Sequence, residues 1–230
     1  MIAGYSEPSM RPKIVVFASG TQDGGGTGFE NLATSKDLDA DIVAVVSNHE
    51  HGGVRERADR LEIPFLYFPG PYNAQNYSSI LQNTAIEKGE LWVALSGWLK
   101  KIEGLDPRRT FNIHPALLSF DHGRFGGKGM YGQYIHEAVK RALDAGEISE
   151  SGFSMHFTTD EYDRGPIFFE YRVPIVSGMS AEDIAFVVHA AEHEWQPRIT
   201  NMVVHGEVSW DGTNPSALKY PAGYPYFPKG

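Results

Sequence analysis

Two kinds of block alternate along this chain: short continuous apolar runs and longer stretches with helical spacing. Residues 13–18 (KIVVFA), 41–47 (DIVAVVS), 63–68 and 91–95 (LWVAL) are apolar runs of strand length. Such runs suit strands buried on both faces of a parallel sheet. Between them the spacing turns helical, over 29–33, around Val54, Ala58 and Leu61, and over 73–88 with Tyr77, Ile80, Leu81, Thr84 and Ala85 inward. A fifth strand is expected at 110–113, stopping before Pro115, and a helix at 133–145 with Ile135, Val139, Ala142 and Leu143 inward. Segments 153–158 and 167–173 read as a hairpin, and 181–196 as a long helix carrying Ile184, Val187, Val188, Ala191 and Trp195 on one face. Strands alternating with helices imply a parallel sheet built by right-handed crossovers. The expected class is therefore α/β, with helices on both faces of a mostly parallel sheet that runs on into an antiparallel hairpin and a long C-terminal helix.

The punctuation is as informative as the runs. Five glycines fall within 19–28 (SGTQDGGGTG), between the first strand and the first helix. A glycine loop there presents backbone N–H groups and a positive helix end, which suits phosphate, and the plainer alternative is a flexible connection. The spacing matches neither a dinucleotide fingerprint nor a P-loop. Glycines recur at 123, 126, 127, 129 and 132, after the fifth strand, in a segment long enough to cover a substrate. Residues 1–12 read as a polar arm, 13–207 as one domain divided near 111/112, and 208–230 as an extended tail, wrapped on the body or disordered.

Composition narrows the partners. A chain of 230 residues with 41% hydrophobic and 21% charged residues is expected to be one globular domain with an ample core. A net charge of -9 argues against a nucleic-acid surface. The chain has no cysteine, hence no disulfide or thiolate metal site, which suits the cytosol. No leader-like or membrane-spanning apolar stretch stands out. His49 and His51 flank Glu50 in a spacing unlike that of helical zinc ligands, so a solvated loop is expected there.

The candidate chemistry gathers at Phe111-Asn112-Ile113-His114-Pro115. Two residues apart on extended backbone, Asn112 and His114 share a face at a strand's carboxyl end, where α/β sheets collect ligands. An amide there donates to an oxygen gaining charge, and an imidazole donates or accepts a proton. The turn at 159–166 (TDEYDRGP) holds three carboxylates, and is either a solvated tip or a source of an acid that orients His114. Glu192 is either a surface charge or a reach into the same site.

The pair Asn112-x-His114-Pro115-x-Leu117-Leu118 and, some fifty residues on, Thr159-Asp160-Glu161-x-Asp163-x-Gly165-Pro166 resembles the folate-dependent formyltransferase family. Further stretches narrow the likeness to the branch whose acceptor is glycinamide ribonucleotide in purine biosynthesis: the opening KIVVFASG, Gly129-Met130-Tyr131-Gly132 with His136-Glu137-Ala138-Val139, Ser154 to Phe157, and Glu192-His193. The resemblance spans about residues 13–207. It implies a Rossmann-like first half and a formyl donor, 10-formyltetrahydrofolate, with no metal. Asn112, His114 and Asp163 would be catalytic. Trp98, Leu99, Lys100 and Ile102 would hold the pterin, with Asn112, Thr159, Asp160 and Asp163. Gly24, Gly25, Gly26, Thr27 and Gly28 would take the ribonucleotide phosphate, and Glu192 its ribose or amide. Small-molecule substrates and a cytoplasmic monomer or homodimer complete the expectation.

The mechanism so implied is attack by the neutral amine on the formyl carbon. Asn112 and a protonated His114 would bond the oxyanion, and Asp163 would keep the histidine charged. Two features depart from the family's pattern: a longer first loop lacking the usual Ser-Asn pair, and Arg164 in place of a common glycine. The competing readings are an N-formyltransferase for nucleotide-linked amino sugars and, outside enzymes, a folate- or nucleotide-binding module. A formyltransferase acting on methionyl-tRNA, and a hydrolase of the donor, fit less well.

Overall fold

A computed structural model describes residues 11–22, 24–84, 86 and 91–226. The arm expected at 1–12 falls almost wholly outside these residues, as do Asp23, Ala85 and the end of the tail. Seven strands form one sheet: β1 (Lys13–Phe17), β2 (Asp41–Ser47), β3 (Phe65–Tyr67), β4 (Leu91–Ser96), β5 (Thr110–His114), β6 (Glu150–Phe157) and β7 (Ile167–Pro174). Their spatial order is β3-β2-β1-β4-β5-β6-β7. The first five pair in parallel, and β5 with β6 and β6 with β7 pair antiparallel. The expected α/β class and the antiparallel continuation are both observed.

The apolar strand runs are buried on both sides because the chain covers both faces. Along β1, Ile14 and Val16 enter one core, and Val15 and Phe17 the other. The first core holds α1 (Thr27–Thr34), α2 (Gly53–Arg60), α4 (Gln133–Asp144) and α5 (Ala181–Val204) through Phe29, Ala58, Ile135 and Ile184. The second holds α3 (Ala74–Gln82) through Tyr77 and Ile80. Strand order reverses direction between β1 and β4, so the crevice outside their carboxyl ends is where such sheets bind ligands.

Of the boundaries that differ from the sequence reading, three have a physical reason in the structure. Helix α3 ends at Gln82, where Thr84 Oγ1 donates back to the Leu81 carbonyl. Strand β3 keeps only Phe65–Tyr67; the Phe68 N–H still donates to the Ser47 carbonyl, while its side chain turns into the second core. Helix α5 does not stop at Gln196 but runs through Pro197 to Val204. A proline inside a helix frees the carbonyl four residues back. Here that carbonyl, on His193, accepts a hydrogen bond from Asn31 Nδ2 at 2.8 Å. Ile199, Val203 and Val204 then bury on the far side.

Of the two courses open to the tail, the structure takes the packed one as far as Tyr226. Ser209 and Lys219 exchange backbone hydrogen bonds. The Tyr226 ring lies 4.9 Å from that of Trp195 and 5.0 Å from that of Phe169.

Candidate active site

Register builds the centre of the site. The antiparallel pairing of β5 with β6 sets Asn112 opposite His156, and β5 ends on His114. Residues 119–132 fold back over that end, so that the Phe125 carbonyl accepts a hydrogen bond from His114 Nε2 at 2.7 Å. The turn between β6 and β7 then brings in Asp163, on left-handed backbone with φ 52°. The turn can fold this tightly because residue 165 is glycine: a Cβ there would strike the Phe157 carbonyl. Asp163 Oδ2 accepts the Gly127 N–H at 2.8 Å, and Oδ1 accepts from Asn112 Nδ2 at 3.4 Å. Asp163 Oδ2 lies 3.7 Å from His114 Nδ1. The amide, imidazole and acid singled out in the sequence thus converge.

The hydrogen bonds fix the proton inventory. A carbonyl only accepts, so His114 carries its proton on Nε2 and shows Asp163 an Nδ1 lone pair. His156 likewise donates from Nδ1 to the Phe157 carbonyl at 2.8 Å, leaving Nε2 to accept from Asn112 Nδ2 at 3.2 Å. Both hydrogens of the Asn112 amide are therefore engaged, by His156 and by Asp163. His156 was not among the expected site residues. Its signals in the sequence were the alternation of 153–158 and its place in the Ser154 to Phe157 stretch of the resemblance.

Electrostatics correct one expectation. His114 is buried, and burial lowers its pKa by more than Asp163 and the Phe125 carbonyl raise it. It is neutral near pH 7, rather than held charged as expected from its neighbouring carboxylate. Asp163 goes the other way. Burial opposes its charge, but once the imidazoles are protonated in acid, His156, 3.5 Å from Oδ1, and His114 outweigh burial together with the Gly127 N–H and hold the carboxyl at about 2. The resting pair is a carboxylate beside a neutral imidazole.

Two cavities meet here. One, of about 440 Å³, is lined by Trp98, Leu99, Asn112, His114, Met130 and Asp163 among others, within the size range of small-molecule sites. A recess on the other side of Asn112 is walled by Trp98, Lys100 and Ile102 and by Thr159 and Asp160 from the acidic turn. The 98–102 loop is held by Tyr77, which accepts from Trp98 Nε1 at 2.9 Å and donates to the Lys101 carbonyl at 2.8 Å. Arg164, which the sequence left without a role, donates from Nη1 to the His122 carbonyl at 2.9 Å and so ties the acidic turn to the covering segment.

The second cavity, of about 260 Å³, lies between Gly25, Gly26, Thr27 and Gly28 on one side and His189 and Glu192 on the other. The first turn of α1 points its unpaired N–H groups into the glycine loop. Gly24 does not line this cavity; it pairs with Thr21 and packs against Gly53. Glu192 is buried, reaches the site, and accepts from His189 Nδ1 at 2.8 Å, which raises the His189 pKa. Gly97, Leu99 and Pro115 border both cavities, beside His114. His49 and His51 lie in bends after β2, and among the described residues no group of three or more His, Asp or Glu is placed to hold a metal.

Two adjoining cavities with an acid, a base and an amide at their junction are suited to moving a group from one small molecule to another. A family model described as formyl transferase matches residues 12–200, and the chain belongs to that family. Among the particular relatives it matches are phosphoribosylglycinamide formyltransferases. The chloroplastic one of Arabidopsis thaliana is 31% identical over 220 residues, which span 91% of this chain and 71% of the relative. That of Bacillus subtilis is 28% identical over 202 residues, 84% of this chain and 94% of the relative. The solved structure of the phosphoribosylglycinamide formyltransferase from Coxiella burnetii matches with a TM-score of 0.70 at 28% identity, covering 92% of this chain and 100% of that one. No helix among the described residues is long and apolar enough to cross a membrane.

Proposed function

We propose that this enzyme transfers the formyl group of 10-formyltetrahydrofolate to the primary amine of glycinamide ribonucleotide, in de novo purine biosynthesis. The observation that carries the reading is the junction: Asn112, His114 and Asp163 meet where the larger cavity borders the glycine-loop cavity. The larger cavity and its recess take the folate, with Trp98, Leu99, Lys100 and Ile102 facing Thr159 and Asp160 across the pterin. The loop from Gly25 to Gly28 takes the phosphate on backbone N–H groups, and Glu192 accepts from the ribose or the amide. We read the enzyme as a cytoplasmic monomer or homodimer acting on small molecules.

The roles follow from the proton inventory. The amine attacks the formyl carbon and its carbonyl oxygen gains charge. Asn112 supplies the donor to that oxygen by giving up its longest bond, the 3.4 Å contact to Asp163. His114 Nδ1 takes the proton the amine sheds, directly or through water, and becomes an imidazolium. Asp163 stabilises that cation, having been held ionised beforehand. His156 holds the Asn112 amide in its donating orientation. Collapse of the tetrahedral adduct breaks the bond from carbon to the folate nitrogen, and that nitrogen recovers the proton. Holding both reactants at one junction supplies much of the acceleration.

A folate-coupled absorbance assay tests the reading with glycinamide ribonucleotide and, separately, nucleotide-linked amino sugars as acceptors. Turnover confined to glycinamide ribonucleotide is expected. Turnover with the amino sugars alone overturns the assignment of acceptor.

A further inference from the structure

The floor of the glycine-loop cavity is polar in a way that the roles above leave unused. Ser96 ends β4, Gln196 lies in α5, and the two meet beneath Gly28 at the carboxyl end of that central strand. Both side chains are buried, and Gln196 Nε2 donates to Ser96 Oγ at 3.1 Å. That bond spends one donor and one acceptor. It leaves the Ser96 hydroxyl hydrogen and the Gln196 carbonyl oxygen without a partner among the described residues, although both residues line the cavity. The Gln196 oxygen is open to the cavity rather than sealed off, and polar groups placed so are completed by water or by a ligand.

Position 28 explains why the floor is built from this side. A Cβ on Gly28 would collide with Ser96 Oγ, whereas its next neighbours would be Gln196 Oε1 at 3.5 Å and Ser96 Cβ at 3.7 Å. The loop therefore contributes only backbone here, and side-chain recognition comes from the opposite wall. The chemistry on offer is one hydroxyl donor beside one carbonyl acceptor, both neutral. A carbonyl oxygen repels a phosphate, so the anion belongs at the N–H groups of the loop.

We infer that Ser96 and Gln196 determine acceptor specificity, reading a neutral donor–acceptor pair, such as a carboxamide or ribose hydroxyls, on the phosphorylated acceptor. The inference rests on the acceptor reading above and deepens it. Ser96 donates to an oxygen of that group, and Gln196 accepts from its N–H or O–H. Gly28 keeps the pair in place by having no side chain.

The test is steady-state transfer to glycinamide ribonucleotide by the wild type, Ser96→Ala, Gln196→Leu, Gly28→Ala and the double variant Gly28→Ala/Ser96→Ala. Loss of one neutral hydrogen bond to a ligand is worth roughly three- to tenfold in affinity. Ser96→Ala and Gln196→Leu should each raise the acceptor KM by about that factor, with the folate KM within twofold of wild type. Gly28→Ala should raise it further, and adding Ser96→Ala should return it to the level of Ser96→Ala alone, since the collision is gone. Should Gln196→Leu fail to fold, as judged by thermal unfolding, Ser96→Ala and the double variant still decide. An acceptor KM unchanged in Ser96→Ala, or a double variant no better than Gly28→Ala, overturns the inference while the acceptor reading stands. A wild type that does not formylate glycinamide ribonucleotide overturns both.

Discussion

Replacing Asp163 by Asn isolates the charge on which the site depends, because the shape of the side chain is kept. The carboxylate accepts the Gly127 N–H and an Asn112 hydrogen, and faces His114 Nδ1 at 3.7 Å. Both partners are largely buried, with side-chain exposures of 6% for His114 and 13% for Asp163. At that distance and an effective dielectric constant of about 20, a unit charge stabilises an imidazolium by about 4 kcal/mol. If His114 becomes cationic only in the course of reaction, that stabilisation belongs to the transition state, and Asp163→Asn should lower kcat by about a thousandfold. Two further signs are fixed. Asp163 titrates at about 2 when folded, below its ordinary 3.8. Its charge thus contributes about 2 kcal/mol of stability above pH 3.8, lost as pH falls toward 2. The variant should lack that decline in acid, read from denaturant melts between about pH 4 and 2. The carboxylate also raises the pKa of His114 against the larger effect of burial. The acid limb of kcat/KM, which lies below pH 6.5 because neutral His114 is the active form, should therefore move to lower pH in the variant. The assay is formyl transfer across pH, with folate binding followed by quenching of Trp98. A kcat within tenfold of wild type, or an acid limb moving upward, would refute the reasoning.

Other consequences are equally direct. Tyr77→Phe strips Trp98 Nε1 of its acceptor and the Lys101 carbonyl of its donor; it should cost about 1–3 kcal/mol of stability and raise the folate KM, as thermal unfolding and steady-state kinetics would show. Asn31→Ala uncovers the His193 carbonyl freed by Pro197, and should lower stability by about 1–2 kcal/mol in denaturant melts. His136 is buried, its Nδ1 has no partner, and burial followed by the nearby His189 and His114 pushes it down to about 4. The unfolded chain takes up that proton near pH 6.5, so stability is complete above 6.5 and declines by roughly 3 kcal/mol as pH falls to about 4. His136→Phe should flatten that decline in urea melts. His189 contributes in the opposite sense, since its raised pKa favours the folded state at lower pH.

Much of this was legible along the chain, and what was not has a common cause. The runs at 13–18, 41–47 and 91–95 announced the central strands because a strand buried on both faces must be apolar throughout. Asn112, His114 and Asp163 were legible because two of them share one strand end and the third lies in a motif of its own. His156 was missed because its role depends on the register of β5 against β6, a property of two distant segments. The extension of α5 was missed because Pro197 is a stop signal by itself, and Asn31 cancels it from another helix. The charge of His114 was misjudged for the same reason: the neighbouring carboxylate is visible in a motif, whereas the desolvation that outweighs it comes from the covering segment. Ser96 and Gln196 carry no signal until β4 and α5 are set side by side.

The central claim is that this junction passes a formyl group from one bound molecule to the other. It is tested most directly by supplying 10-formyltetrahydrofolate with a ¹³C-labelled formyl carbon and following that carbon by NMR. The wild type should deliver the label to the amine of glycinamide ribonucleotide, and His114→Ala, folded and binding folate, should deliver almost none. Label released as free formate, or delivered equally well by His114→Ala, would contradict it.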